Sequence, residues 1–261
     1  RSIAVTGVQT CALPIFEEKL LKKIEPLHPI LRNTVVTLVL FLLGLPGYLV
    51  ANASINIDSA PSFGFWLDER IPFIPWTVAV YDWVYVIIFF PIFIVKDLDL
   101  IRHAAKAFLF GIFVSIFFFT VLPAKIERPV IPKPANFIDW WVWINYTIDR
   151  PTTLFPSMHV SNAILTAMTV LSFSKRAGYP ILLLAVLISL STLTMKQHFA
   201  ADVIGGAVLA AVSYRIFLWP YVKETVSRRS EMLLPASYAL IVPAGGLCAT
   251  FVLYCIYRIV K

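Results

Sequence analysis

Seven stretches of this chain are apolar for nearly the length of a bilayer crossing, and that repetition restricts the fold more than any other feature. They run from Asn33 to Ala51, Trp76 to Val95, Ala104 to Leu122, His159 to Phe173, Tyr179 to Thr194, Ala200 to Trp219 and Pro235 to Tyr257. A helix needs about 20 mostly apolar residues to traverse the hydrocarbon core. A helix also satisfies its own backbone polar groups where no water can. The expected fold is therefore all-α, a polytopic transmembrane helix bundle. Composition agrees, with 59% of residues hydrophobic and 14% charged, against about 45–50% and about 25% in soluble domains. The fourth and fifth stretches are short, so their polar ends are expected to continue as helix into a polar cavity rather than into lipid.

The flanks read differently. Val5 to Ile15, VTGVQTCALPI, resembles the translation of a sequencing-adapter oligonucleotide, so residues 1–15 are expected to lie outside the functional protein. Residues 16–32 then form a cytoplasmic N-terminal segment, 33–219 the membrane domain, and 220–261 a loop with a C-terminal crossing. The net charge of +7 does not point to nucleic acid, because the basic residues are short clusters between apolar runs. Their distribution sets orientation instead. With seven crossings, 13 Lys and Arg fall on one side and 8 on the other, so the first side is expected to be cytoplasmic. Cys11, Cys248 and Cys255 have neither disulfide nor metal-ligand spacing.

Two longer connections, Asn52 to Pro75 and Pro123 to Pro156, interrupt the pattern. Within the second, Phe137 to Tyr146 carries Trp140, Trp141 and Trp143, which suits either a helix at the interface or a loop packed over the bundle. Asn52-Ala-Ser54 and Asn145-Tyr-Thr147 match the N-glycosylation pattern. There is no internal repeat.

Ionisable groups at membrane depth are costly, about 2.5–3.5 kcal/mol each on insertion scales, so a cluster of them where crossings begin points to function. His198 and Asp202 are four residues apart at the start of the sixth stretch, a spacing that places them on one helix face. There the carboxylate can orient the imidazole and stabilise its cation. His159 opens the fourth stretch, and by parity it shares the non-cytoplasmic side with His198. Two histidines, one carboxylate-oriented and one free, can divide the work of nucleophile and general acid. Arg128 and Lys125 follow the third stretch and can bring positive charge to the same side, while Ser157 and the amides that open the fourth helix add anion-binding donors. His159, His198 and Asp202 could in principle ligate zinc instead. His28 and His103 read as structural, and Asp82 stays outside the expected site because Tyr81, Trp83 and Tyr85 around it suit an interfacial belt.

Arg128-Pro129, then Pro156-Ser-Met-His159, then Ser191 with His198 and Asp202 resemble the three ordered motifs of the type 2 phosphatidic acid phosphatase superfamily, across about Pro123 to Trp219. Phe155 to Val160 and Thr194 to His198 are particularly similar to the branch that includes inositol phosphorylceramide synthases. The resemblance implies a six-helix core, with the C-terminal crossing as an addition. It implies that His198 attacks phosphorus, Asp202 orients it, His159 protonates the leaving alkoxide, and Arg128 with Ser157 holds the phosphoryl oxygens. No metal or other cofactor is implied. The implied partners are the bilayer, a lipid phosphate ester and, in place of water, an alcohol acceptor. The implied location is a bacterial inner (cytoplasmic) membrane, with the site facing the periplasm or exterior. Three positions depart from the family pattern: Val121 stands where its first motif has lysine, Thr192 where its third has arginine, and Met158 where its second often has glycine. Lys125 or Lys196 is expected to substitute for the missing cations. A transporter or lipid-binding protein without covalent chemistry is the rival class, but the polar groups gather at one face rather than at the midplane. The third and fourth stretches offer apolar residues that can admit a lipid tail.

Overall fold

The computed structural model describes residues 19–20, 22–131, 133–225, 234 and 236–260. Val5 to Ile15 and Cys11 lie outside the described residues, as do Arg228 and Arg229 of the charge count. The described chain is helical and contains no strand among the described residues, so the fold is the all-α bundle expected. Its helices are α1 (Pro29–Ser54), α2 (Trp66–Arg70), α3 (Val78–Tyr81), α4 (Val84–Ile87), α5 (Phe90–Ile94), α6 (Leu98–Val121), α7 (Phe137–Ile148), α8 (Met158–Leu171), α9 (Lys175–Thr194), α10 (Ala200–Ser213), α11 (Trp219–Glu224) and α12 (Ile241–Val260). A π turn, Tyr214–Leu218, joins α10 to α11. Among the described residues, five helices, Pro29–Ser54, Leu98–Val121, Lys175–Thr194, Ala200–Glu224 and Ser237–Val260, are long and apolar enough to cross a membrane.

The second apolar stretch differs from a regular crossing. Between Pro75 and Ile94 it is a short 3-10 turn followed by α3, α4 and α5, joined by i→i−3 bonds such as Trp83 to Val80 (3.2 Å), Tyr85 to Asp82 (3.1 Å) and Phe89 to Val86 (3.1 Å). Pro91 contributes to this, since it has no N–H for an α-helical bond and its ring crowds the carbonyl four residues earlier. The tighter winding rises about 2.0 Å per residue instead of about 1.5 Å, so fewer residues cover the same depth. Its lower end is tied to α1 by the buried Asn33, whose Nδ2 donates to the carbonyls of Ile92 (3.1 Å) and Val95 (2.8 Å).

α8 is the central helix. On one side Ala163, Ala167 and Val170 pack against Ile181, Ala185 and Ile188 of α9, and on another Leu165 meets Ala104, Ala107 and Phe108 of α6. With 14 residues it is about 21 Å long, less than the roughly 30 Å hydrocarbon layer. Close approach to α9 is possible because Gly178 has no Cβ, which would stand 2.4 Å from Leu171 Cα. α9 begins at Lys175, capped by Ser174, four residues before the apolar run itself begins. α1 and α12 are peripheral, and Leu42, Leu43, Leu247 and Phe251 on them are exposed, as expected where the neighbour is lipid.

Phe137 to Ile148 is a helix rather than a loop, started by Asn136, whose side chain accepts the N–H of Asp139 (3.0 Å). The two glycosylation-type asparagines are buried and engaged: Asn52 accepts from Thr152 (3.1 Å) and Asn145 donates to Asp82 (3.2 Å). His28 accepts the N–H of Ile30 at the start of α1, and His103 meets the carbonyl of Phe217 at 2.8 Å in the π turn. Both are structural contacts.

Candidate active site

The two histidines meet because two glycines let α10 lie against the start of α8. A Cβ on Gly206 would stand 2.5 Å from Ser157 O, and one on Gly205 would stand 2.4 Å from the Phe155 ring. The close approach is fixed by the Ser157 N–H, which donates to the carbonyl of Asp202 at 3.0 Å. Ser157 is fully buried, and its Oγ accepts the N–H of Val160 (3.3 Å), capping α8. The first residues of α8 are thereby held beside the first residues of α10, with His159 following Ser157 by two positions.

His198 is brought there by a sharp turn at the end of α9. Lys196 has φ 51°, left-handed backbone that a non-glycine residue seldom adopts. The amides of Gln197 (2.9 Å) and His198 (3.3 Å) then fold back onto the carbonyl of Thr192. His198 therefore precedes α10 rather than standing on it. Its Nε2 lies 3.2 Å from His159 Nδ1, and its Nδ1 lies 3.5 Å from Asp202 Oδ2. The latter is an electrostatic contact, too long and misaligned for a good hydrogen bond. The same Oδ2 accepts the N–H of Phe199 at 2.8 Å, so Asp202 also starts the helix. On the far side, His159 Nε2 is 2.9 Å from the hydroxyl of Tyr81. Tyr81, His159, His198 and Asp202 thus form a row. Because Asp202 faces one nitrogen of His198 and His159 the other, the three proposed zinc ligands are strung in line and do not converge on a common point.

His198 opens onto a cleft of about 450 Å³ that is also lined by Arg128, Lys196, Asp68, Glu69 and Glu127. Arg128 is clamped by protein acceptors: it donates to the carbonyls of Asp149 (2.6 Å) and Arg150 (3.5 Å) and to Gln197 Oε1, and it lies 4.9 Å from the Tyr146 ring centroid. Its guanidinium is 3.9 Å from Asp149 Oδ2. Burial pulls the Arg128 guanidinium down from its ordinary value, against the opposing pull of Asp149. Burial likewise pushes Asp149 up, while Arg128 and His198 draw it down. A charge this poorly solvated acts more strongly on a neighbouring anion than one in water would. Two buried donors beside the cleft, Arg128 Nε and Gln197 Nε2, make no hydrogen bond within the described residues. The chemistry these donors suit is that of an anion.

The remaining expected residues are placed as follows. Lys196 lines the cleft, with Nζ donating to the carbonyls of Asp68 (2.8 Å) and Ile71 (2.5 Å). Lys125 is half-buried outside the cleft lining, and its backbone N–H donates to Pro61 O (2.8 Å). Val121 is 57% exposed at the end of α6, and the Thr192 hydroxyl turns back to Ser189 O (2.7 Å), so neither points a donor at the cleft. Four participants had no local signal. Tyr81 suits an interface by its sequence yet is fully buried, Gln197 is a neutral residue within the motif, Asp149 stands seven residues before the second motif at no motif position, and Asp68 belongs to the first long connection. Asp68 Oδ1 accepts the N–H of Ala200 (2.7 Å), holding that connection against the start of α10. Asp82 accepts from Trp141 Nε1 (2.5 Å) and Asn145, tying the second apolar stretch to α7.

The PAP2 superfamily matches the chain over residues 48–216, an interval that holds every residue of the site and leaves α12 outside. The uncharacterized protein MJ0662 of Methanocaldococcus jannaschii is 28% identical over 123 residues, which are 47% of this chain and 48% of that protein. The chain thus spans about half the length of that curated relative. No solved structure matches it significantly.

Proposed function

We infer the function from a premise the match supplies: the chain belongs to the PAP2 superfamily, and its apolar helices make it a membrane protein of phosphatase type. Our reading is that it transfers the phosphoryl group of lipid phosphate esters through a phosphohistidine at His198, in the manner of the inositol phosphorylceramide synthase branch. The observation that carries this reading is the 3.2 Å contact of His159 Nδ1 with His198 Nε2, beside a cleft that also presents Arg128.

In the proposed first step, His159 takes up a second proton as the phosphate anion binds; His198 Nε2 then forms a bond to phosphorus as the bond to the leaving oxygen breaks, and the His159 imidazolium gives that oxygen a proton and is left neutral. At 3.2 Å the rings leave no space for a phosphoryl group between them, so substrate entry has to part them. In the second step, water or an alcohol attacks phosphorus, His159 takes its proton, and the bond to His198 breaks. Asp202 stabilises the positive charge that His198 carries in between. Arg128, held from behind by the Asp149 and Arg150 carbonyls, meets the phosphoryl oxygens. Lipid as substrate is supported by an apolar groove of about 140 Å³ between α1, α6 and α8, lined by residues such as Leu40, Phe41, Phe108 and Ile112. The groove reaches Tyr48, whose hydroxyl donates to Asp149 Oδ1 (3.1 Å), the partner of Arg128.

Purified protein incubated with a panel of lipid phosphates, with and without alcohol acceptors, tests the reading. Free phosphate alone is the result expected of a hydrolase, and new phospholipid that of a transferase. A chelator should leave the rate unchanged, and vanadate, which mimics five-coordinate phosphorus, should inhibit. No turnover with any lipid phosphate would favour the transport class, and loss of activity with chelator that zinc restores would favour the metal reading.

The proposed orientation, with the active face away from the cytoplasm, is tested by thiol labelling in a protein without Cys11, Cys248 and Cys255. Val130 is 85% exposed on the active side and Arg176 is exposed at the other end, and neither caps a helix as Asn136 and Ser174 do. With a membrane-impermeant reagent on intact cells, Val130→Cys should label and Arg176→Cys should not. The reverse pattern would put the site in the cytoplasm.

A further inference from the structure

We propose that Tyr81 is a positioning residue for His159: its hydroxyl occupies Nε2 of that ring, so that Nδ1 carries the proton in the resting protein and is the nitrogen His159 presents to His198. The kinetic consequence rests on the phosphoryl-transfer reading, but the proton assignment does not.

The assignment follows from counting protons along the row. A neutral imidazole has one N–H and one bare nitrogen. Asp202 Oδ2 faces His198 Nδ1 at 3.5 Å, and that oxygen already accepts the N–H of Phe199. A bare nitrogen opposite a carboxylate is repelled, so His198 keeps its proton on Nδ1 and turns a lone pair on Nε2 toward His159. The 3.2 Å contact between the rings needs one proton, which must then sit on His159 Nδ1. His159 Nε2 is left bare, and the group 2.9 Å from it is the Tyr81 hydroxyl, which donates. The opposite direction would have Tyr81 accept and would end with two lone pairs facing each other at Asp202.

Tyr81 is well held for this purpose. It is 0% exposed, its ring centroid is 5.1 Å from that of His159, and it packs with Trp141, Val142 and Met195. Tyr85 approaches the same imidazole edge-on at 6.2 Å, so the ring is bracketed as well as hydrogen-bonded. Both tyrosines come from the tightly wound second stretch, where residues 81 and 85 rise on the same side of the chain. The nitrogen nearest His198, and hence nearest any phosphoryl group bound there, is thereby fixed.

The full-length protein in detergent micelles, with 15N-labelled histidine, gives a direct readout. His159, assigned by its loss in His159→Gln, should show a protonated Nδ1 and a bare Nε2 in the wild type. Tyr81→Phe removes one oxygen and keeps the packing, and it should shift His159 toward the Nε2–H form. With a lipid phosphate that is turned over, Tyr81→Phe should lower kcat by about tenfold or more, since a wrong tautomer alone can cost far more than that. KM should stay within about threefold, because Tyr81 touches no substrate in this arrangement. A wild-type spectrum with the proton on Nε2 would overturn the proposal without any variant or substrate. So would Tyr81→Phe with unchanged kcat. A protein inactive on every lipid phosphate but with Nδ1 protonated would sink the functional reading and leave the tautomer assignment standing.

Discussion

Replacing His198 by Ala is expected to lower turnover of a lipid phosphate by about four orders of magnitude or more, and to remove the acid-labile phosphoryl label that the wild type should carry when quenched in base. The cost is large because no neighbour can take over. His159 points its Nδ1 at His198, and Tyr81 occupies its Nε2, so the second imidazole is not free to attack. The fold should survive the loss of the His198 contact to His159, since the turn itself is held by backbone amides onto Thr192 and α10 is started by Asp202. Asp202→Asn is a milder change than its position suggests. One oxygen, Oδ2, serves both Phe199 and His198, so an amide oxygen in its place keeps both contacts and loses only the charge. Its expected loss is about 10²–10³-fold, below that of Asp202→Ala, which would also remove about 1 kcal/mol of helix capping. Wild-type turnover in a folded His198→Ala protein would end the covalent mechanism.

How much of this was legible in the sequence differed by kind of residue. Apolar runs reveal crossings because hydropathy is summed over many positions, and α1, α6, α10 and α12 could be read in that way. The stretch from Trp76 to Val95 could not be read correctly in detail, because a 3-10 and an α winding bury equally apolar residues; the local bonds that distinguish them are set by Pro91 and by packing. The histidines stood out as ionisable groups in an apolar setting. Tyr81 did not, because a tyrosine near a crossing end is as apt for an interface as for a buried hydrogen bond, and only the neighbour across the bundle decides. Asp68 is 132 residues from the amide of Ala200 that it accepts, and Asp149 is joined to Arg128 across a loop, so no local spacing could announce either. Lys196 was named as a substitute cation. Its left-handed backbone, which turns His198 back onto Thr192, carries no mark in the sequence, since lysine has no preference for that region.

Changing Arg128 to Lys should reduce turnover by about 100-fold or more while leaving the charge in place. The guanidinium has a separate acceptor for each of its ends: Nη1 meets the Asp149 carbonyl, Nη2 meets Gln197 Oε1 and, at 3.5 Å, the Arg150 carbonyl, and the plane faces Tyr146. An ammonium is a compact charge that cannot span those acceptors or stack on the ring, so it would either leave the carbonyls or leave the cleft. The unpaired Nε, the edge that would meet a phosphoryl oxygen, has no equivalent in lysine. Arg128→Ala is harsher, because Asp149 would lose the cation that offsets its burial, and breaking a buried pair of this kind can cost about 3–5 kcal/mol. The 3.9 Å separation to Asp149 Oδ2 argues for the lower end. The two effects separate by comparing variants: Asp149→Asn keeps Tyr48 and the carbonyl contact to Arg128, so it should change thermal stability more than turnover, whereas Arg128→Lys should do the opposite. An Arg128→Lys protein with wild-type kcat and KM would show that the guanidinium only braces Gln197 and the loop behind it, and the anion would then have to be held by Lys196, the other cation lining the cleft.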